Sequence, residues 1–361
     1  MGITIKEIAK LTGVSRGTVD RALNNRGQVA PDIKAKILKV AKDHGYQKNL
    51  IASRLAKKET IKVAVILPDP KQDPFWADHY NGIKNLDKTF EDYGIKIIHY
   101  RFDQFSASSY SSTFRQVILD KPNGILVAPL FYKESTQFLS MTLQNKIPVI
   151  CINSNVGNQS DFAYIGQDSS ESGKIAGRLF SMSGLTGKTI AVITLGLSSD
   201  NAIHIKNKIE GLTTYNRDND CNFNIIEWTI TDFEDQEKLE ESCLNLLETH
   251  LDIGGVFFTN SRAYRFIQET SFLQHYDLQP TIIGFDLIEE NINLLEENKV
   301  QFLLNQSPNL QSYLGLVSFF NHFVHGKDID NLQYLPIDVV FKENYQRYLE
   351  SANRMIFRGI H

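Results

Sequence analysis

Two short amphipathic segments near the amino terminus, joined by Thr12-Gly13-Val14, constrain what this chain can fold into more than any other stretch. The second segment runs Ser15-Arg16-Gly17-Thr18-Val19-Asp20-Arg21-Ala22-Leu23-Asn24. Its Val19, Ala22 and Leu23 fall on one face at helical spacing, while Arg16, Gly17, Asp20 and Arg21 fall away from that face. Ser15 suits the start, because its hydroxyl accepts from an exposed amide of the first turn. The first segment, Ile5 to Leu11, is capped by Thr4 and carries Ile5, Ile8, Ala9 and Leu11 as its apolar stripe. Gly13 has no side chain to oppose a left-handed backbone in the turn. A third helix is predicted over Asp32 to His44, with Pro31 just inside its start and Gly45 just past its end. Its Ile33, Ile37, Val40 and Ala41 close a small core with the other two. Two brief helices around a glycine turn are the helix-turn-helix plan, whose second helix enters the major groove of DNA.

Charge agrees with that reading. Residues 1–60 hold thirteen Lys and Arg against five Asp and Glu, an excess of +8. The whole chain is −4, so the remainder carries −12. A basic head on an acidic body implies a polyanion at one end only.

Several motifs together are similar to the headpiece of the lactose-repressor family of bacterial regulators. They are Thr4-Ile5-Lys6-Glu7-Ile8-Ala9, Gly13 to Val19, Arg21 to Asn24, Val29, Pro31, Gly45-Tyr46 and Asn49. The resemblance implies that Asn49 to Ala56 forms a hinge helix when two copies lie side by side in the minor groove. Leu55 would then wedge into a base step and bend the duplex, with Asn49 and Ala52 on the same contact face. Lys48 stands where that family usually has Pro. Gly17 and Asp20 depart from the lactose repressor's own pattern, which implies a different operator. Arg16, Thr18 and Arg21 are the candidate base readers, Arg21 by a bidentate contact to guanine. Thr4, Ser15, Asn24 and Lys10 are the candidate phosphate contacts, which position without specifying.

From Ile61 the pattern becomes strands alternating with helices. Lys62 to Leu67 is an apolar run ended by Pro68, as buried parallel strands are. Further strands are predicted at 95–100, 124–128, 149–153, 162–166, 189–194, 224–228, 255–259 and 281–285, with a C-terminal return at 335–340. Helices are predicted at 78–93, 109–119, 135–145, 169–183, 202–217 and 234–249. Two successive βα runs predict an α/β body of two doubly wound lobes. The body resembles the type I periplasmic sugar-binding fold that the repressor family carries behind its headpiece. That fold crosses between lobes three times, here expected near Asp168, near Leu287–Leu304 and near Pro308. The expected division is a headpiece at 1–47, a hinge and linker at 48–60, and a body from 61. Lobe 1 is expected at about 61–167 and 288–307, and lobe 2 at about 168–287 and 308–340.

In open α/β sheets ligands sit beyond the carboxyl ends of the strands. The polar and aromatic residues there are Asp73, Phe75, Trp76, Asn153, Ser154, Asp168, Asn260, Asp286 and Gln306. A sugar needs flat aromatic surfaces for its C–H faces and fixed amides or carboxylates for its hydroxyls. Asp73-Pro74-Phe75-Trp76 falls where the resembled family has Asn-Pro-Phe-Phe. Lys208 falls where its members commonly carry a ligand-clamping Arg.

At 361 residues the chain is too long for one ordinary domain, and 42% hydrophobic residues suffice for more than one core. No apolar run reaches the length of a membrane span, and Met1 to Lys6 lacks a signal-peptide core. A cytoplasmic location is expected, with Cys151, Cys221 and Cys243 as buried thiols. No metal-ligand spacing, nucleophile elbow or phosphate loop occurs, so neither catalysis, a cofactor nor a metal is expected. A secreted binding protein is the rival reading, opposed by the basic headpiece. The expectation is a homodimeric regulator, a repressor by resemblance, that binds double-stranded operator DNA under control of a small ligand. That ligand is expected to be a sugar, with a nucleobase or other metabolite as the alternative.

Overall fold

The computed structural model describes residues 3–23, 27–44, 46, 60–156, 161–196, 199–275 and 280–350. The chain divides into two compact units, Met1–Lys58 and Glu59–His361.

In the first unit α1 (Ile5–Thr12), α2 (Arg16–Leu23) and α3 (Pro31–Asp43) enclose Ile8, Val19, Ala22, Ile37 and Ala41. Thr4 opens α1 with a capping box. Its hydroxyl accepts from the Glu7 amide, and the Glu7 carboxylate accepts from the Thr4 amide at 2.8 Å. Gly13 ends α1 at φ +74°, the left-handed turn expected of it. Ser15 accepts from the Thr18 amide at 3.1 Å and so caps α2. The expected apolar stripe of α1 needs one correction: Leu11 is 54% exposed. The inward face from Ile5 and Ile8 continues at Thr12, seven residues after Ile5. The buried Thr12 hydroxyl donates to the Ile8 carbonyl at 2.6 Å. Leu11 lies one step round the helix from that face.

The second unit holds two six-stranded sheets. In chain order its strands are β1 (Ile61–Pro68), β2 (Ile95–Phe102), β3 (Gly124–Val127), β4 (Val149–Ile152), β5 (Ala163–Gly166) and β6 (Thr189–Leu195). β7 (Asn224–Ile230), β8 (Ile253–Phe258), β9 (Thr281–Phe285), β10 (Phe302–Asn305), β11 (Leu332–Tyr334) and β12 (Asp338–Val340) follow. The sheet orders are β11-β5-β4-β3-β1-β2 and β12-β10-β9-β8-β6-β7. Both are doubly wound, and the order reverses between β1 and β3 in one and between β6 and β8 in the other. Pairing is parallel throughout, except that β12 runs antiparallel to β10. Burial on both faces explains runs such as Val63 to Leu67, none of which is exposed.

The helices of the body are α4 (Pro74–Ile83), α5 (Leu86–Asp92), α6 (Ala107–Leu119), α7 (Tyr132–Gln144), α8 (Ser169–Met182) and α9 (Ile203–Asp218). After them come α10 (Gln236–Thr249), α11 (Ala263–Glu269), α12 (Glu289–Glu296) and α13 (Pro308–Phe320). The single helix expected over Asp78 to Tyr93 is two, α4 and α5, parted at Lys84-Asn85. α4 starts earlier because Asp73 caps it, accepting from the Phe75 amide at 3.0 Å, with Pro74 in the first turn. The expected lobe boundaries are also corrected. α12 and β10 belong to the second sheet's lobe, and α13 and β11 to the first. The crossings therefore fall at Gln167, at 306–308 and at 335–337. Register decides this, because Leu303 pairs beside Gly284 of β9 and Gln333 beside Ile165 of β5. The buried Gln167 amide ties the three crossings together, donating to the Asn305 carbonyl at 2.7 Å and the Pro336 carbonyl at 2.8 Å. Cys151, Cys221 and Cys243 are buried free thiols. Among the described residues no helix is long and apolar enough to cross a membrane.

Glycine permits the close crossing of α8 on α9. A Cβ on Gly173 would lie 1.9 Å from the Lys208 carbonyl oxygen. Gly173→Ala should therefore destabilise the body by about 1–3 kcal/mol despite alanine's better helix propensity. Gly17 of α2 is the contrasting case, since a Cβ there meets only Ser15 Oγ at 3.8 Å. Gly17→Ala should stabilise the headpiece by about 0.5–1 kcal/mol. Urea unfolding of each full-length variant, followed by circular dichroism, checks both signs.

Candidate ligand cleft and nucleic-acid interface

The carboxyl ends of the two sheets face one another and enclose a cavity of about 60 Å³. A space of this size admits a few water-sized groups, hence a small metabolite and not a long oligomer. Asp73, Phe75 and Trp76 enter it after β1, Gln104 and Phe105 after β2, Leu130 after β3 and Asn153 after β4. From the other lobe come His204, Ile205 and Lys208 after β6, Thr259 to Arg262 after β8, Asp286 after β9 and Gln306 after β10. Eight of the ten expected ligand residues thus line one space: Asp73, Phe75, Trp76, Asn153, Lys208, Asn260, Asp286 and Gln306. Ser154 does not line it, being fully buried with its hydroxyl 2.8 Å from His204 Nδ1. Asp168 is a correction. Its carboxylate caps α8, accepting from Ser170 and Glu171 amides at 2.8 and 3.4 Å, and is spent outside the cavity.

A buried ion pair joins the lobes. Arg262 Nη2 lies 2.7 Å from Asp73 Oδ2. The same guanidinium donates to Gln104 Oε1 at 2.6 Å and to the Leu195 carbonyl at 3.0 Å. Phe105 and Phe233 flank it, with ring centroids 5.1 and 5.4 Å away. Trp76 Nε1 also donates to Gln104 Oε1, at 3.0 Å. Phe75 and Trp76 are buried, and Trp76 stacks on His79. Both line the cavity and are buried against neighbouring rings, so they act as wall and core at once. The lobes are joined further out by Asn201 Nδ2, which donates to Glu134 Oε2 at 3.0 Å.

Lys208 is 2% exposed. Its Nζ donates to the Thr259 carbonyl at 2.8 Å and sits 3.4 Å over the Phe285 ring. Asp286 accepts from Gln306 Nε2 at 3.0 Å. Burial pushes the Lys208 ammonium below its ordinary range and the Asp286 carboxyl above its own, while their mutual attraction opposes both shifts. Burial, helped by Lys208 and Arg262, pushes His204 down to about 3, so its ring is neutral at ordinary pH. Asn153 and Asp286 sit at φ +66° and +67°, a left-handed backbone that Asn and Asp tolerate best among residues with side chains. Gln104 and Arg262 were missed in the sequence. The β2 run continues to Phe102, which brings Gln104 within two residues of its end, and Arg262 lies just past the predicted Asn260.

In the headpiece Arg16, Gly17 and Arg21 are exposed on α2. Arg21 folds back along its own helix, its Nε donating to the Gly17 carbonyl at 3.3 Å and its Nη2 to Thr18 Oγ1 at 3.4 Å. The Thr4 and Ser15 hydroxyls are taken up by caps, and the Ser15 hydroxyl also meets that of Thr18 at 3.0 Å. Asn24, Asn49, Ala52 and Leu55 lie outside the described residues.

Residues 63–327 match the family described as periplasmic binding protein domain, and residues 4–49 match bacterial regulatory proteins of the lacI family. The chain is 29% identical over 120 residues to the HTH-type transcriptional regulator RegA of Clostridium saccharobutylicum, a match covering 33% of this chain and 36% of that one. It is 24% identical over 235 residues to the ribose operon repressor of Lactococcus lactis, covering 65% and 66%. The chain thus matches about a third of the length of the first and just under two thirds of the second. A crystal structure of a protein from Bacteroides fragilis, described as a LacI transcriptional regulator, superposes with a TM-score of 0.71. It is 24% identical and covers 80% of this chain and all of that one, a likeness of fold.

The ion pair between the lobes generates its own test. Arg262→Ala leaves Asp73 a buried carboxylate without its cation and should cost about 3–5 kcal/mol. Asp73→Asn in the same background should recover part of that loss. Urea midpoints of the two variants and the parent check the order.

Proposed function

Because the chain belongs to the family of periplasmic binding protein domains and its residues 4–49 are a lacI-family headpiece, we propose that it is a DNA-binding transcription regulator under the control of a small ligand. The observation that carries the reading is the cleft. Residues from eight strand ends of two doubly wound sheets converge on one small space, in a chain that also carries a basic helix-turn-helix. The chain acts in the cytoplasm, as a homodimer whose two headpieces bind a palindromic operator. The α2 helices lie in successive major grooves.

Arg16, Thr18 and Arg21 reach the base edges. Gly17 offers no side chain, so the reading at its position passes to its neighbours. Arg21 must leave the Gly17 carbonyl to contact a guanine, and the bidentate contact compensates for that weak, solvent-exposed bond. Thr4 and Ser15 act first by fixing α1 and α2, whose exposed termini then meet phosphates. Asn24, Asn49, Ala52 and Leu55 complete the interface as the lactose-repressor resemblance implies.

The effector is a small sugar or sugar derivative held by the amides of Asn153, Asn260 and Gln306 and by Asp286 and Lys208. Such a site discriminates, because a ligand lacking one hydroxyl leaves a buried polar group unpaired. The name of the Lactococcus relative, a ribose operon repressor, supports a sugar. Ligand controls DNA binding by its different affinities for open and closed lobe arrangements. The reading makes the protein a regulator and not an enzyme.

Arg21→Ala should lose about 1–3 kcal/mol of discrimination between the cognate operator and bulk competitor. Fluorescence anisotropy at fixed salt measures it, and unchanged selectivity would remove Arg21 as a reader.

Trp76→Ala should weaken the response of operator binding to effector while leaving ligand-free DNA affinity close to the parent's. A thermal-shift screen of sugars against the full chain identifies the effector, and operator titration of the variant with it then reads the response. A variant that fails to fold would make Trp76 a core residue only.

A further inference from the structure

Among the described residues, five lining side chains of the cleft are ionisable by type, and their charges cancel. Asp73 and Arg262 form a pair at 2.7 Å. Lys208 and Asp286 are a second cation and carboxyl, both 2% exposed, and the fifth, His204, is a neutral ring. A proton passed from Lys208 to Asp286 leaves the sum at zero, so the balance holds whichever of them carries it. The positive charge of Arg262 is already answered by the Asp73 carboxylate, and three of its five N–H groups are taken. Its Nη2 meets Asp73 and Gln104 Oε1, and its Nη1 meets the Leu195 carbonyl. Among the described residues of the lining, one buried group is left over: Gln104 Nε2 has no hydrogen-bond partner. The amide cannot turn round to cure this, since Oε1 already accepts from both Trp76 Nε1 and Arg262 Nη2.

We propose that the cleft selects an uncharged ligand bearing hydroxyl or carbonyl oxygen and rejects anions such as sugar phosphates and carboxylates, with Asp73 as the residue that keeps Arg262 from taking an anion. The inference rests on reading this cleft as the effector site. An anion entering it brings a buried charge with no counter-charge, and burying an unpaired charge is among the most costly steps a protein can take. A neutral oxygen entering beside Gln104 gives the leftover N–H its acceptor.

The test exchanges the charge balance and needs no knowledge of the ligand. Thermal unfolding of the full chain is followed in sodium phosphate and in sodium chloride at equal ionic strength. Asp73→Asn keeps the helix cap, since Asn caps as well as Asp, but frees Arg262. Its midpoint in phosphate relative to chloride should rise several degrees more than the parent's, by binding of phosphate at Arg262. The double variant Asp73→Asn with Arg262→Gln should return to the parent's difference. Phosphate bound on the basic headpiece is common to all three and cancels. Asp73→Ser, another capping residue, repeats the measurement should the Asn variant fold poorly. A parent shift that Arg262→Gln alone removes would overturn the proposal. So would a folded Asp73 variant that gains no response to phosphate. Neither readout involves DNA, so control of operator binding by ligand stands or falls separately.

Discussion

The body is organised by one buried contact, the ion pair between Asp73 of the first lobe and Arg262 of the second. Two sheets that present their carboxyl ends to each other expose strand-end amides, carbonyls and caps, and these have to find partners or remain wet. The Asp73–Arg262 pair, with Gln104 and the Leu195 carbonyl, meets that need across the gap. Desolvation of two charges is costly, so such a pair holds the lobes only when its remaining hydrogen bonds are satisfied. Here Asp73 accepts from the Phe75 amide and from the Ser261 hydroxyl as well. At the far side of the body Gln167 binds all three crossing segments through one amide. Fixed at its hinge and bonded at its mouth, the body closes on itself through its own side chains.

That self-bonding shapes what a ligand can do. A ligand shifts a two-state body only by the difference in its free energy between the states, and couplings of this kind are about 1–3 kcal/mol. The closed arrangement already has its cross-lobe bonds, so a ligand acts through bonds those leave unmade. Gln104 Nε2 is one such place. The left-handed backbones at Asn153 and Asp286 are part of the same design, since each aims a strand-end side chain into the space at a conformational cost of order 1 kcal/mol. Lys208, held over the Phe285 ring and bonded to a backbone carbonyl, is an amino group almost wholly shielded from bulk solvent at the cavity wall. Stability is given up around the cavity, and the tight α8–α9 crossing behind it supplies the rigidity that keeps those groups in place.

Much of this was legible in residues alone, for reasons that differ by region. The headpiece was readable because capping, helical spacing and the glycine turn all point the same way at Thr4, Gly13 and Ser15. The alternating body was readable because buried parallel strands are short continuous apolar runs. Once strands are located, the rule that ligands sit past their carboxyl ends finds most of the cleft without any tertiary information. The failures have causes just as local. Asp168 follows a strand, but an Asp before a Ser-Ser-Glu helix start is a cap first, and α8 claims its carboxylate. Leu11 reads as inward because it extends the apolar residues Ile5, Ile8 and Ala9, whereas the buried Thr12 is polar by type. The break at Lys84-Asn85 is hidden in the sequence because no proline marks it. The lobe exchange near the carboxyl end was misplaced because β10, β11 and β12 are three or four residues long. Such strands carry no periodicity, and only pairing says which sheet they join.

Arg262 was invisible for a deeper reason. A lone arginine after a strand reads as solvated surface, and its burial depends on a partner 189 positions earlier in the chain. Neither residue states the pair by itself: Asp73 already has a local explanation as the cap of α4, and it keeps that role in the structure. One carboxylate therefore does two jobs, starting a helix in its own lobe and binding the cation of the other. The two jobs tie the start of α4, and with it Phe75 and Trp76, to the lobe arrangement. Movement of Arg262 away from Asp73 alters the environment of the same helix end that carries the aromatic wall. A ligand that enters between them is felt at once by the wall, the cap and the opposite lobe, as a site that controls lobe closure requires.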